Sequence, residues 1–327
     1  MRIGFTYDLK EQYLAEGFSP EQAAEFDKPE TIAGIEQAIV RQGHEVDRIG
    51  NLRDLAKRLA GGDRWDLVFN IAEGMYGMGR EAQVPAVLEG YGIPAVFGDS
   101  LCLAVCLHKG YAKHIVRASG VPTPDFLVVE SKNIDVSALS LTYPLFAKPV
   151  AEGTGKGVTA KGKIMTPAAL VDVCGDLLER FNQPVLVEEY LPGREFTVGI
   201  IGTGDAARIA GIMEVALLDN AERGAYTFEN KDKYEDRVSY RLAESDDEAR
   251  EAGRIAIAAH RALGCRDASR VDIRSDANGA PHFMEANPLA GLNPEHSDLP
   301  ILCRLKGIGF DQLIADILAS AMRRVRP

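Results

Sequence analysis

The sequence predicts a chain of mixed α/β and α+β class, in which an N-terminal doubly wound parallel sheet is followed by two further lobes. Its 327 residues are enough for roughly two domains of about 150 residues. Strand-like and helix-like segments alternate over the first hundred residues, which is typical of βαβ units and a parallel sheet. Later strand-like runs look antiparallel. We therefore expect an N-terminal unit over 1–100, a small lobe over 101–182 and a large lobe over 183–327.

The N-terminal unit begins with a strand over 2–7. Helical spacing of apolar residues predicts a helix over 29–42, which Gly43 ends. Three further apolar runs, over 45–49, 65–70 and 93–97, are expected to be strands of the same sheet.

The small lobe begins with a helix expected over 101–119, which two prolines, Pro122 and Pro124, separate from the next strand. The pattern predicts that strand over 126–129, a second strand over 144–149, and a helix over 167–180.

The large lobe is richer in strands. Runs over 185–189, 195–201 and 207–215 are expected to be antiparallel, and a polar stretch over 216–235 is typical of a loop. The dipeptide Asn278-Gly279 predicts a hairpin between strands over 270–275 and 282–286. The remaining segments, over 246–263 and 310–324, are helical.

Composition excludes several functional classes. The 37 basic and 48 acidic residues leave a net charge of -11, which disfavours neutralisation of nucleic-acid phosphates. No apolar run is long enough for a membrane span, and the N-terminus lacks the pattern of a signal peptide. The five irregularly spaced cysteines favour reduced, packed thiols, so we expect a cytoplasmic protein with neither a nucleic-acid nor a membrane partner.

A lysine at the end of an apolar strand is followed by a loop with alternating glycines. Lys148 precedes Gly153, Gly155 and Gly157, which would let backbone N–H groups approach phosphates. The spacing is not that of a Walker A loop. A flexible hairpin with a solvated lysine is the alternative interpretation.

The predicted C-terminal hairpin carries a set of hard oxygen ligands. Asp272 and Glu285 lie on its two strands, and Asn287 lies two residues after Glu285 on the same face. Carboxylate and amide oxygens suit Mg²⁺, and Arg270 on that face could stabilise developing negative charge. The alternative is a charged hairpin that faces solvent.

Two other segments carry weaker signals. The apolar run over 185–189 leads into polar groups that end at Glu195, which could hold a base and a ribose; a salt-bridged strand end is the alternative. The run over 202–207 has the form G-x-G-x-x-A, but a strand-like segment follows it, so a Rossmann site is not expected.

Taken together and in this order, these segments resemble the ATP-grasp superfamily, most closely its D-alanine–D-alanine ligase-like branch. The resemblance extends from about residue 66 to the C-terminus. It is carried by Phe69-Asn70-Ile71-Ala72-Glu73-Gly74, the Lys148 loop, Val187-Glu188-Glu189-Tyr190-Leu191 through Gly199, and Arg270-Val271-Asp272 with Glu285-Ala286-Asn287. It implies that a two-lobed ATP-grasp fold follows the N-terminal sheet.

The resemblance implies ATP as cosubstrate and two Mg²⁺ ions, with Mn²⁺ as a possible substitute. The metal ligands would be Asp272, Glu285 and Asn287. The residues it implies for ATP are Lys109 and Lys148 at the phosphates, Glu188, Glu189 and Leu191 near the adenine, Glu195 at the ribose, Met284 beneath the base, the loop residues Glu152, Gly153, Thr154, Gly155 and Gly157 over the phosphates, and Lys231 as a second lysine that closes over them.

The chain departs from the family where the amino-acid substrate binds. Glu73 stands where the ligases carry a histidine, Met78 and Gly79 replace an acidic pair, and the N-terminal glycine–serine–glutamate element is missing. The segment 291–300 resembles the second-substrate loop in altered form. There the Gly291 N–H could stabilise an oxyanion, and His296 and Ser297 are candidate substrate contacts. The product is therefore not expected to be D-alanyl-D-alanine.

We predict an ATP-dependent carboxylate–amine ligase that forms an amide through an acyl phosphate. Its catalytic groups would be Arg270 and the Gly291 N–H, and its partners a small carboxylate and a small amine. The alternatives are an ATP-grasp phosphoryl transferase that performs no ligation and a nucleotide-binding regulator without turnover. The resemblance also suggests a possible homodimer.

Overall fold

The computed structural model describes residues 1–136, 139–217 and 238–325. The strands are β1 Arg2–Thr6, β2 Glu45–Gly50, β3 Leu67–Asn70, β4 Phe126–Val129, β5 Leu145–Pro149, β6 Lys163–Ile164, β7 Val185–Glu189, β8 Glu195–Ile201, β9 Arg208–Leu217, β10 Val238–Leu242, β11 Ala268–Ser275 and β12 Pro281–Asn287. The helices are α1 Lys10–Ala15, α2 Pro29–Arg41, α3 Leu52–Ala60, α4 Gln83–Gly90, α5 Ser100–Leu107, α6 Lys109–Ala118, α7 Pro167–Phe181, α8 Asp247–Ala262, α9 Asp298–Leu305 and α10 Phe310–Ala321.

A parallel sheet in the order β2-β1-β3 forms the N-terminal unit, as predicted. The apolar face of α2 and the sheet residues belong to one buried core, which joins Ile32 and Ile35 to Phe5 and Phe69. The prediction of a fourth strand over 93–97 is wrong, because this run makes only a single bridge to β3. Pro94 has no N–H to donate, and Phe97 has a positive φ of 73° that turns the chain away.

The helix expected over 101–119 is divided into α5 and α6 at His108. This residue has ψ near 89°, outside the helical range, and its ring nitrogen accepts a hydrogen bond from the Tyr111 N–H at 3.2 Å. Lys109 is therefore the first residue of α6 rather than a residue within a continuous helix.

Two antiparallel sheets follow, in the orders β4-β7-β5-β6 and β10-β9-β8-β11-β12. The antiparallel character expected of β7, β8 and β9 is confirmed: β8 pairs with β9, and β7 pairs with β4 and β5 in the other sheet. The chain crosses to the other sheet at Gly193, where a Cβ would lie 2.6 Å from the carbonyl oxygen of Ser275. The three-part division at residues 100 and 182 stays a prediction, although sheet membership places β7 with the lobe before it.

The fold class is the predicted one, with a parallel N-terminal sheet and two antiparallel sheets. The hairpin around Asn278-Gly279 is formed by β11 and β12. None of the described helices combines the length and apolar character that a membrane span requires.

Candidate active site

The hairpin of β11 and β12 brings the four predicted polar residues to one face. Arg270 pairs with Asn287 in the strand register, and Asp272 pairs with Glu285. The Arg270 guanidinium donates to Asp272 Oδ2 at 3.1 Å, and Asn287 Nδ2 lies 3.4 Å from the same oxygen. From β8, Thr197 Oγ1 donates to Asp272 Oδ1 at 3.1 Å. Period-two alternation therefore places them as the sequence predicts.

Two lysines from other elements converge on this hairpin. Lys109 Nζ, on α6, is 3.6 Å from Glu285 Oε2, and Lys148 Nζ, on β5, is 4.0 Å from the same oxygen. Lys109 also donates to the Glu152 carbonyl at 2.6 Å. The residues from the glycine loop, the small-lobe sheet and the hairpin therefore share one cleft.

A buried carboxylate beneath the cleft holds Lys148. Glu188 pairs with Lys148 Nζ at 3.0 Å and with Lys113 Nζ at 2.8 Å. Burial alone would raise the pKa of Glu188, but the two lysines more than offset it and leave that pKa lowered. Burial lowers the pKa of Lys113 to about 8, whereas Glu188 and Glu285 outweigh burial at Lys148 and leave its pKa raised.

A first cavity extends from these lysines between the two antiparallel sheets. Its apolar walls include Phe146, Val158, Leu191, Ile273 and Met284, and Glu188, Glu189 and Glu195 also line it. Glu195 lies 3.6 Å from Arg274, and Glu189 accepts the Thr142 N–H at 2.8 Å. The mixture of an apolar slot and a charged end suits a flat, uncharged ring attached to an anionic group.

The glycine-rich loop over 152–157 is attached to the N-terminal unit. Glu25 accepts the Gly153 N–H at 2.6 Å and pairs with Arg80 at 2.9 Å. Lys156 lies 3.6 Å from Glu25, and Arg80 also donates to the Ala151 carbonyl at 2.7 Å. Burial works against the ionised form of Glu25, but Arg80 and Lys156 leave its pKa lowered. Thr154 and the glycines at 155 and 157 have positive φ angles, so the glycine pattern has a conformational reason there.

A second cavity shares Lys109, Glu152 and Glu285 with the first. Asp27, Glu73 and Glu81 are among the carboxylates that line it. Burial raises the pKa of Asp27 to about 7, with Asp8 adding to the effect, and raises the pKa of Glu81 to about 7. Burial and the neighbouring Glu81 hold the pKa of Glu73 well above its usual range. Carboxylates in such a setting prefer protonation or a bound cation.

The segment after β12 closes this second cavity. Gly291, His296 and Ser297 line it, together with Arg270 and Asn287. A Cβ at Gly291 would lie 2.8 Å from Ser297 Oγ, so the close approach of these two residues requires glycine. Arg270 is fixed from this side as well, because its guanidinium donates to Asp298 at 2.9 Å.

Comparisons with known proteins decide the family. A family model described as the C-terminus of D-ala D-ala ligase matches residues 115–319. The D-alanine–D-alanine ligase of Delftia acidovorans is 33% identical over 293 residues, covering 88% of this chain and 86% of that protein. The chain belongs to the D-alanine–D-alanine ligase family. This is a family of ATP-grasp enzymes, ATP-dependent ligases that act on small molecules with a divalent metal ion.

Other relatives are similarly distant. The D-alanine–D-alanine ligase of Herminiimonas arsenicoxydans is 31% identical, with 84% of this chain and 80% of that protein covered. Protein y4sG of Sinorhizobium fredii, which is uncharacterized, is 31% identical, with 79% and 75% covered.

Solved structures show the same fold. The D-alanine–D-alanine ligase of Bacillus anthracis complexed with ATP superposes with a TM-score of 0.75 at 22% identity, and covers 99% of this chain and 98% of that one. The VanG D-Ala:D-Ser ligase of Enterococcus faecalis gives a TM-score of 0.73 at 21% identity, with 98% and 99% covered.

Most of the candidate site residues lie around the two cavities of this ligase fold. Those lining the first are Lys109, Lys148, Glu152, Gly155, Glu188, Glu189, Leu191, Glu195, Asp272, Met284 and Glu285. Those lining the second include Glu73, Gly153, Thr154, Arg270, Asn287, Gly291, His296 and Ser297. Gly157 supports the loop, where a Cβ would lie 2.6 Å from Pro149. Lys231 and most of the polar stretch 216–235 lie outside the described residues.

Sequence reasoning missed several residues that the fold brings to the site. Lys113 lies one helical turn after Lys109, and this spacing could have suggested a shared face. Glu25, Arg80 and Asp298 carry no local pattern, because their partners are distant in sequence.

Proposed function

We propose that this enzyme joins a small carboxylate to a small amine, and that ATP activates the carboxylate as an acyl phosphate. The observation that supports this most is the convergence of Lys109 and Lys148 on Glu285, where the first cavity meets the second. A γ-phosphoryl group held there would face a carboxylate held in the second cavity.

The donor set of the hairpin fits a divalent cation. Asp272, Glu285 and Asn287 offer carboxylate and amide oxygens on one face, the ligand type that Mg²⁺ prefers. We propose that they hold two Mg²⁺ ions, which Mn²⁺ could replace. When bound, the ions would neutralise phosphate charge.

The side chains around the nucleotide have separable roles. Lys109 and Lys148 would bind phosphate oxygens, while Glu188 orients Lys148 from below. Leu191 and Met284 would contact the adenine, and Glu195 the ribose. The glycine loop 152–157, with Lys231, would cover the phosphates and exclude water from an acyl phosphate that water would hydrolyse.

Amide formation needs stabilisation of a tetrahedral oxyanion. Arg270 lines the second cavity beside the metal-site carboxylates, and the Gly291 backbone lies on the same cavity. We propose that the guanidinium and the Gly291 N–H donate to the oxyanion as the amine attacks.

The second cavity favours a substrate other than D-alanine. Relatives carry the name D-alanine–D-alanine ligase, and one structural neighbour is a D-Ala:D-Ser ligase. Here Asp27, Glu73 and Glu81 give the cavity a carboxylate-rich wall. We propose that the amino-acid substrates differ from D-alanine and that one of them places a cationic group against this wall.

An ADP-release screen with Mg²⁺ tests the proposal. The purified chain is assayed with pairs drawn from D-alanine, neutral amino acids, basic amino acids and diamines, and products are identified by mass spectrometry. The expected result is ADP release that depends on both partners, with an amide product that contains a basic component. ADP release with D-alanine alone would refute the changed specificity while leaving the ligase reaction intact.

Two other functions remain distinguishable in the same screen. A phosphoryl transferase would give a stable phosphorylated product without any dependence on an amine. A nucleotide-binding regulator would bind ATP but release no ADP with any pair. We also propose a cytoplasmic homodimer, which light scattering of the purified chain and cell fractionation would test.

A further inference from the structure

Three cysteines meet in the protein interior beside the second cavity, which Cys106 lines. Cys102 and Cys106 lie four residues apart on α5, and Cys265 lies in the turn before β11. All three are buried, and their sulfur atoms lie within 4.8 Å of one another. The other two cysteines, Cys174 and Cys303, are buried elsewhere in the fold.

The spacing of these sulfurs is not that of a disulfide. Cys102 Sγ and Cys265 Sγ are 3.9 Å apart, whereas a disulfide bond is about 2.05 Å long. Thiolates bound at about 2.3 Å to one ion are separated by roughly 3.8–4.0 Å in tetrahedral or trigonal geometry. The observed separation therefore equals that of two ligands of a shared ion.

The position of Cys102 suits a thiolate ligand. Cys102 lies in the first turn of α5, where the helix dipole stabilises negative charge. Its sulfur also contacts the Cys265 sulfur directly across the cluster.

The backbone leaves room for the Cys102 sulfur. A Cβ at Gly98 would lie 2.9 Å from Cys102 Sγ and would displace it. Arg266, next to Cys265 in the chain, pairs with Asp99 at the start of α5, so this ion pair links the two segments that carry the cysteines.

We propose that Cys102, Cys106 and Cys265 form a buried site for a thiophilic metal ion, with three-coordinate Cu(I) as its occupant. Sulfur-only ligands select soft ions, so this site would not compete for the Mg²⁺ of the hairpin. Among the described residues no fourth histidine, cysteine, aspartate or glutamate joins the group. Structural zinc almost always takes four protein ligands, whereas a monovalent copper ion accepts three.

Binding at this site involves proton release and no electron transfer. Each thiol that becomes a ligand loses its proton to solvent, while the copper stays monovalent and the sulfurs stay reduced. The bound ion would connect α5 to the turn before β11. Because α5 leads through His108 into Lys109, the ion would stiffen the element that carries this lysine.

The test uses the full-length reduced protein without ATP, under anaerobic conditions. Cu(I) is supplied from a competing chelator of known affinity, and uptake is followed by the thiolate-to-metal charge-transfer absorbance and by metal analysis after desalting. The expected result is one ion per chain and a higher Tm on loading. Cys265→Ser should weaken uptake at least about 100-fold, since even outer contacts of a metal ligand are worth 10–100-fold.

Matched serine variants show whether Cu(I) uptake depends on the three clustered cysteines or on any cysteine of the chain. Cys174→Ser and Cys303→Ser should bind as tightly as the parent chain, while Cys102→Ser and Cys106→Ser should lose uptake as Cys265→Ser does. If a serine variant fails to fold, the corresponding alanine variant replaces it, and its circular dichroism spectrum reports on folding. No uptake by the parent chain, or equal uptake by Cys265→Ser, would overturn the proposal and show three packed thiols only.

Discussion

The two cavities of the active site differ in how their charges are balanced. In the first, the buried carboxylate of Glu188 lies between Lys113 and Lys148. In the second, Glu81 and Asp27 act on Glu73, and burial raises the pKa of all three carboxyl groups. The buried charges beneath the first cavity are therefore paired within the protein, whereas those of the second cavity would gain from a cationic ligand.

The largest effect is expected from a substitution in the buried ion pairs of Glu188. Glu188→Gln removes the anion that both lysines face, so Lys113 loses its carboxylate partner and Lys148 keeps only the more distant Glu285. We expect the free energy of unfolding to fall by about 3–5 kcal/mol, measured by urea denaturation. Glu189→Gln is the matched control, because Glu189 pairs with no lysine in the described structure. Equal losses in the two variants would contradict the role of the buried ion pair.

The second largest effect is a slower ligation reaction when Arg270, which lines the second cavity, is replaced. Arg270→Ala should leave nucleotide affinity nearly unchanged, because Arg270 lines only the second cavity. Ligation should slow by about 10²–10³-fold, as for loss of one oxyanion donor. Arg304→Ala, which removes an exposed arginine of α9, is the control. Unchanged turnover in Arg270→Ala would reject the assigned role.

A smaller effect is expected when one of the clustered carboxylates of the second cavity is neutralised. Glu73→Gln removes one of the clustered carboxylates and should raise the free energy of unfolding at pH 8 by about 1 kcal/mol. The same change should raise the KM of the cationic substrate and leave the KM of ATP unaltered. Exposed Glu11→Gln serves as the control and should change neither quantity. If Glu73→Gln lowered the free energy of unfolding and left the KM of the cationic substrate unchanged, the carboxylates of the second cavity would not be the unbalanced site described above.

The smallest effect is a dependence on pH. Glu81 and Asp27 have folded-state pKa values raised to about 7, above their unfolded values. Between about pH 4 and 7 the folded chain therefore binds more protons than the unfolded chain. These two groups stabilise the folded chain fully below about pH 4, and this stabilisation is lost as the pH rises through 7. The stability advantage of Glu81→Gln over the parent chain should thus grow across this range. If the difference in Tm between Glu81→Gln and the parent chain stayed constant from pH 4.5 to 8, the raised pKa of Glu81 would be excluded.

The sequence could bring the hairpin residues and the glycine loop together for a physical reason. Strand alternation fixes which residues of a hairpin share a face, so Arg270, Asp272, Glu285 and Asn287 could be placed together from spacing alone. The positive φ angles of the loop at Gly155 and Gly157 similarly leave a visible glycine pattern, whereas Thr154 has a positive φ without one.

The remaining features depend on contacts between distant segments. Glu25 and Arg80 meet the glycine loop only because the N-terminal unit folds against it. The pairing of β7 with β4 and β5 rather than with β8 has a similar cause, since antiparallel patterns do not reveal which of two sheets a strand joins. The break at His108 depends on one ring nitrogen that caps α6, which an apolar pattern does not reveal.

The attachment of the glycine loop to Glu25 has a consequence for the catalytic cycle. A carboxylate from the first thirty residues accepts the Gly153 N–H and pairs with Arg80, and Lys156 lies near it. Any outward swing of the loop must first separate these opposite charges in a poorly hydrated space. Departure of ADP would then depend on Glu25, a residue of the N-terminal unit that does not line the first cavity.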